Sequence, residues 1–188
     1  PKSTYHLSSH KKLVLIVMGS LGSEKITNMM LKTLDLFKNK NYEVIFVTGK
    51  NSYETFEKVV LPSNVKVVPY IENLSGFMKN VDVIVSRAGA STMSELIALQ
   101  IPSILVPSPY VPNNHQYKNA IDLVNKKAAL IIEEKDLSGK LLVSKIDELL
   151  DNEEEYQVMK ENLKKMAILD SAERIYRILK ELSENENR

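Results

Sequence analysis

Between Val81 and Leu96 the chain reads VDVIVSRAGASTMSEL, and the second half of that stretch holds residue types suited to an anion. Ala88, Gly89 and Ala90 leave a turn almost without side chains, so a ligand can come within van der Waals distance of the backbone. The helix that starts there offers unpaired N–H groups and the positive end of a helix dipole, and a phosphate is the natural occupant. Thr92 and Glu95 have the spacing of a capping box, in which hydroxyl and carboxylate each take a backbone N–H at the helix start. Glu95 has a second use open to it, accepting hydrogen bonds from two neighbouring hydroxyls such as those of a ribose. Spacing alone favours the cap.

Three further groups have chemistry to offer. Gly19-Ser20-Leu21-Gly22-Ser23 follows an apolar run and precedes a helical pattern, which makes it a second phosphate loop or simply a tight strand-to-helix turn. His115, Gln116 and Asn119 open another helix, with His115 and Asn119 on one face. Amides there suit the hydroxyls of a sugar; the alternative is that Asn119 hydrogen-bonds the preceding proline loop and His115 is solvated. Ile71 falls just past the carboxyl end of a strand, where it is either packing or a wall for a flat base.

The elements that must position these groups alternate. Leu13–Met18, Tyr42–Val47, Val65–Val68, Val83–Val85, Ser103–Pro107 and Ala128–Ile132 are short, apolar and rich in branched residues, as strands covered on both faces are. Helical spacing recurs between them: Ile26 to Phe37, Tyr53 to Val60, Leu74 to Met78, the stretch with Leu96, Ile97 and Leu99, and the one with Leu123 and Val124. After the last strand, helices are expected from Asp136 to Leu150, Glu153 to Met166 and Ser171 to Leu182. The fold class is α/β, a Rossmann-like doubly wound parallel sheet of about six strands. The domain is expected over 13–182, with 1–12 a linker or frayed end and 183–188 a second frayed end. Ile175, Ile178 and Leu179 share one side of the last helix and are expected to pack into the core, the alternative being an exposed stripe.

Composition narrows the partners. Of 188 residues, 25 are Lys or Arg and 24 are Asp or Glu, and no basic run exceeds a pair, so nucleic acid is not an expected partner. With no cysteine there is no thiolate metal site, and no cluster has metal-ligand spacing. No apolar run approaches the roughly 20 residues needed to cross a bilayer, and the amino end lacks the apolar core of a secretion signal. The expected location is the cytoplasm.

VSRAGASTMSE (85–95) and HQYKNA (115–120), the latter after a proline-rich strand exit, resemble the carboxy-terminal half of the MurG family. That family moves N-acetylglucosamine from UDP-N-acetylglucosamine to lipid-linked muramoyl-pentapeptide, making lipid II. The likeness runs from about Leu13 to Leu182 and takes in Gly19–Ser23 and Thr48-Gly49-Lys50. It implies the donor-nucleotide domain of a GT-B glycosyltransferase that inverts the anomeric carbon, with no metal or other cofactor. By the same resemblance Glu95 holds the ribose hydroxyls and Ile71 flanks the uracil. Gly19 and Ser20, with Ala90, Ser91 and Thr92, face the diphosphate. Gln116 and Asn119 contact the N-acetylglucosamine, and His115 stands where the family usually has a polar residue.

The chain departs from the family pattern at Met18, where another glycine is usual. It also lacks the amino-terminal half with its general base, its lipid I acceptor site and its membrane-facing patch. The resemblance therefore implies no catalytic residue in this chain, a domain inactive by itself, and a full-length protein at the cytoplasmic face of the membrane. Two alternatives stand: a single-domain catalytic subunit completed by a membrane-bound partner, and a non-catalytic nucleotide-binding Rossmann-like module. A dinucleotide site is disfavoured because Gly19-Ser20-Leu21-Gly22 lacks the closing glycine of that fingerprint.

Overall fold

A computed structural model describes residues 2–19 and 24–186. The apolar runs form a six-stranded, wholly parallel sheet in the order β3-β2-β1-β4-β5-β6. Its strands are β1 (Leu13–Val17), β2 (Glu43–Val47), β3 (Val65–Val68), β4 (Val83–Ser86), β5 (Ser103–Leu105) and β6 (Leu130–Ile131). The helices are α1 (Glu24–Leu36), α2 (Tyr53–Glu57), α3 (Leu74–Met78), α4 (Ala90–Leu99), α5 (His115–Asn125), α6 (Gly139–Asp151) and α7 (Glu153–Glu186).

Alternation along β1 divides the core in two. Val14 and Ile16 join Met30 and Leu34 of α1 and Leu142 and Ile146 of α6, while Leu13 and Leu15 join Phe77 of α3, Leu96 of α4 and Leu123 of α5. Both faces of the sheet are thus covered, which is why its strands are continuously apolar. Tyr156 and Met159 of α7 belong to the first cluster and Leu163 to the second, so α7 crosses from one layer to the other.

The structure corrects three expectations. The helices expected at Glu153–Met166 and Ser171–Leu182 are one continuous helix that runs on to Glu186, past the expected end at Leu182; no Gly or Pro between them breaks it. Beyond Met166 that helix leaves the domain, and Ile175, Ile178 and Leu179 are exposed rather than packed in the core. The amino-terminal segment is docked, not frayed. Lys2–Tyr5 forms a 3-10 turn, Leu7 is buried, Tyr5 meets Phe77 edge-on at 5.4 Å, and the Ser8 N–H donates to Glu43 Oε2 at 2.6 Å.

Side chains close the amino end of the sheet. Asp82 Oδ2 accepts from the Leu13 N–H at 2.8 Å and pairs with Lys12 through its other oxygen, and the Tyr156 hydroxyl donates to the Asp82 carbonyl at 2.9 Å. Asn64 Nδ2 donates to the carbonyls of Phe37 and Tyr42. Asp147 accepts from Tyr42 Oη and Lys40 Nζ.

Candidate functional site

In this strand order the chain leaves β1 toward β2 on one side and returns to β4 on the other, so the switch point lies between β1 and β4. Ligands of open α/β sheets bind outside the carboxyl ends of the strands at such a point. A cleft of about 560 Å³ opens there. It is lined by Met18 and Gly19 beyond β1, Arg87 and Gly89 beyond β4, Ser108 beyond β5, Thr92 of α4 and Gln116 of α5, with Ile26, Tyr110 and Glu134 at its side. A smaller hollow of about 330 Å³ continues it past Tyr110 and Glu134 toward Tyr117 and Lys135.

The turn after β4 sets the chemistry. Gly89 is the N-cap of α4 and its carbonyl accepts the first helical bond, from the Met93 N–H at 3.0 Å. The N–H groups of Ala90, Ser91 and Thr92 precede that bond and have no partner among the described residues, as the first turn of a helix requires unless something caps it. Gly89 is extended (φ −66°, ψ 152°), a conformation open to any residue. A Cβ added there would meet only Gln116 Nε2, at 4.0 Å. Neither backbone nor packing therefore demands glycine at 89; what it provides is an uncovered backbone beside open space. Gly19, by contrast, has φ +71°, which favours glycine, and it too has nothing within 4 Å of a notional Cβ.

The capping box does not form. α4 starts at Ala90, so Thr92 is already inside the helix and no side chain caps it. Glu95 is turned elsewhere: its Oε2 accepts from Ser75 Oγ of α3 at 2.9 Å, leaving the partly exposed carboxylate with acceptor capacity to spare. Ile71 lies beyond β3 as expected, with 8% of its surface exposed, and packs in the cluster that includes Val47, Phe77 and Met93. Ile71 precedes α3 and Glu95 bonds to it, and neither lines the cleft, whereas Gly19, Gly89, Thr92 and Gln116 do.

At the start of α5, His115 is exposed. Asn119 does not reach the proline loop: its Nδ2 donates to the Ala88 carbonyl at 2.9 Å. Gln116 takes the proline loop instead, its Oε1 accepting from the Ser108 N–H at 2.9 Å and from the Ala88 N–H at 3.2 Å. Ser20 lies outside the described residues.

One pair escaped the reading of the sequence. Arg87 Nη1 donates to Glu134 Oε2 at 2.6 Å and to the Val106 carbonyl at 3.2 Å, with both side chains largely buried at the cleft wall. A largely buried guanidinium requires a carboxylate. With the two 47 positions apart and several acidic residues in the same region, spacing could not choose Glu134. Among the described residues no group of three or more His, Asp or Glu side chains is placed to hold a metal ion, and no helix is long and apolar enough to cross a membrane.

Comparison with known proteins agrees in family and in fold. Residues 13–175 match the glycosyltransferase family 28 C-terminal domain. The chain is 44% identical over 185 residues to a UDP-N-acetylglucosamine--N-acetylmuramyl-(pentapeptide) pyrophosphoryl-undecaprenol N-acetylglucosamine transferase of Bacillus cytotoxicus, covering 96% of this chain and 51% of that protein. It is 42% identical, with the same coverage, to the enzyme of that name from Pediococcus pentosaceus. The chain therefore spans about half the length of these curated relatives. Among solved structures, Acinetobacter baumannii MurG superposes with a TM-score of 0.68 at 24% identity, over 88% of this chain and 47% of that one. The glycosyltransferase VinC in complex with DTDP gives 0.68 at 18% identity, over 89% and 39%. At these identities the likeness is one of fold.

Proposed function

We propose, from the premise that this chain belongs to the glycosyltransferase family 28 C-terminal domain family, that it is the donor-binding half of an inverting transferase that moves N-acetylglucosamine from UDP-N-acetylglucosamine to lipid I, making lipid II. The observation that carries this reading is the open start of α4. Three unpaired amides at Ala90, Ser91 and Thr92 stand beside Gly19 and Gly89, neither of which has a side chain to cover the backbone. The donor's diphosphate is seated there, and the amides with the helix dipole stabilise the charge that builds on UDP as it leaves.

Around that seat each expected residue has a part. Glu95 accepts the ribose hydroxyls through the oxygen that Ser75 leaves free. Ile71 supports the uracil beyond β3, Gly19 borders the phosphates beyond β1, and Ser20 is assigned to the diphosphate by the family resemblance. Gln116, Asn119 and the exposed His115 face the sugar from α5. An acceptor hydroxyl attacks the anomeric carbon from the face opposite UDP; the new C–O bond forms as the bond to the diphosphate oxygen breaks, so configuration inverts. The base that takes the hydroxyl proton, the lipid I site and the membrane contact belong to the other half of the full-length protein, at the cytoplasmic face. This domain supplies positioning and leaving-group stabilisation and transfers nothing alone.

A thermal-shift and transfer experiment tests the reading. UDP-N-acetylglucosamine raises the melting temperature of the chain in a saturable manner, NAD does not, and no sugar transfer is seen without the other half. Stabilisation by NAD instead of the UDP-sugar contradicts the donor assignment, and turnover by the isolated chain contradicts the division of labour.

A further inference from the structure

The family resemblance gives Gln116 and Asn119 to the sugar, yet in this structure both hydrogen-bond the backbone of one residue, Ala88. Gln116 Oε1 accepts from the Ala88 N–H, and Asn119 Nδ2 donates to the Ala88 carbonyl. Both polar groups of that residue are therefore held from α5, and Gln116 binds the Ser108 N–H at the exit of β5 with the same oxygen. The partners fix the amides without ambiguity: an N–H needs the oxygen and a carbonyl needs the NH2. Gln116 is left with its Nε2 donor at the cleft, 4.0 Å from the position a Cβ on Gly89 would occupy.

Ala88 is fully buried and immediately precedes the N-cap Gly89, which makes no side-chain cap for α4. A helix start of this kind has only backbone to define it, and glycine next to it adds conformational freedom. The grip from α5 substitutes for the missing cap. We infer that Gln116 and Asn119 are positioning residues for the diphosphate seat: by holding Ala88 they fix where the amides of Ala90, Ser91 and Thr92 point, in addition to any contact with the sugar. The inference rests on the donor-site reading above and makes sugar site and phosphate site one mechanical unit.

A pair that contacts only the transferred sugar and a positioning pair differ toward UDP, which carries no N-acetylglucosamine. Calorimetric titration of UDP into wild type, Gln116→Ala, Asn119→Ala and the double variant reads the difference. Each single variant loses UDP affinity by about 5- to 20-fold, and the double variant loses little more than either, because each frees the backbone of the same residue, Ala88. Variants that bind UDP like wild type and lose only UDP-N-acetylglucosamine overturn the inference. Amide exchange followed by NMR on the unliganded wild type needs no variant to fold: slow exchange at Ala88 and Ser108 supports the grip, and exchange at the rate of open chain overturns it. A folded wild type that binds no UDP overturns the donor-site reading itself, and the inference with it, while leaving the exchange result to report on the grip alone.

Discussion

The two ends of the sheet are built from the same strands and finished in opposite ways. At the amino end, polar groups are paired by side chains: Asp82 with the Leu13 N–H, Tyr156 with the Asp82 carbonyl, Asn64 with two carbonyls, Asp147 with Tyr42 and Lys40. At the carboxyl end the amides of Ala90, Ser91 and Thr92 have no partner among the described residues, Gly19 and Gly89 leave the backbone uncovered, and the side chains that pair, Arg87 with Glu134, Gln116 and Asn119 with Ala88, and Glu95 with Ser75, do not cover those amides. Buried polar groups are nearly always satisfied in a folded chain, so a place where exposed ones are left open and uncovered is where binding is to be sought. One end is closed by side chains, and the other leaves hydrogen-bonding capacity open at the cleft.

Mutations sharpen that contrast if each end responds in its own observable. The largest effect on stability is expected for Asp82→Ala, which removes a charged hydrogen bond to Leu13 and the pairing with Lys12: a loss of about 2 to 3 kcal/mol in denaturant unfolding, with UDP affinity of the folded protein unchanged. Gly89→Ala reverses the pattern. Its φ of −66° accepts alanine and the added Cβ meets no protein atom closer than 4.0 Å, so the melting temperature holds, while UDP affinity measured by calorimetry falls about 10-fold, or about 1.4 kcal/mol.

A smaller effect belongs to Tyr42. Burial, and then the hydrogen bond to Asp147, push its hydroxyl well above the ordinary phenol range, so the folded protein keeps it neutral. Its contribution is fully present below the ordinary tyrosine pKa of about 10 and is lost as pH rises beyond it, because the unfolded chain ionises first. Tyr42→Phe costs about 1 kcal/mol at neutral pH, and its stability declines less steeply above pH ~10. The smallest effect is expected from deleting 171–188. All described side chains from Ser171 onward are exposed, and unfolding measurements should find stability within about 0.5 kcal/mol of the intact chain.

What could be read from the sequence follows the same division. The strands were legible because a central parallel strand is an unbroken apolar run; β3 and α3 fall where the pattern puts them, at Val65–Val68 and Leu74–Met78. The cleft-lining residues Gly19, Gly89 and Thr92 were legible because a glycine-bearing strand-to-helix turn has one place to go in an open α/β sheet, and Gln116 because it opens the helix that follows a proline-rich strand exit. Short-range patterns misled where backbone outcompeted side chain: Thr92 and Glu95 have cap spacing, but the helix begins earlier, with Gly89 as its N-cap. Long-range pairings were not legible at all. Arg87 with Glu134, Glu95 with Ser75 and Asn119 with Ala88 depend on how the elements pack, and no local periodicity encodes them. The docking of the amino-terminal segment was missed because two apolar residues, Tyr5 and Leu7, are too few to register as an element.

The central claim, that the carboxyl end of this sheet seats a uridine diphosphate with Glu95 on the ribose, is tested most directly by calorimetric titration of UDP into the wild-type chain and Glu95→Ala. The account predicts saturable binding by wild type and a weakening of about 1 to 3 kcal/mol in the variant at an unchanged melting temperature. A folded wild-type chain that takes up no UDP, or a variant that binds it equally well, would contradict the account.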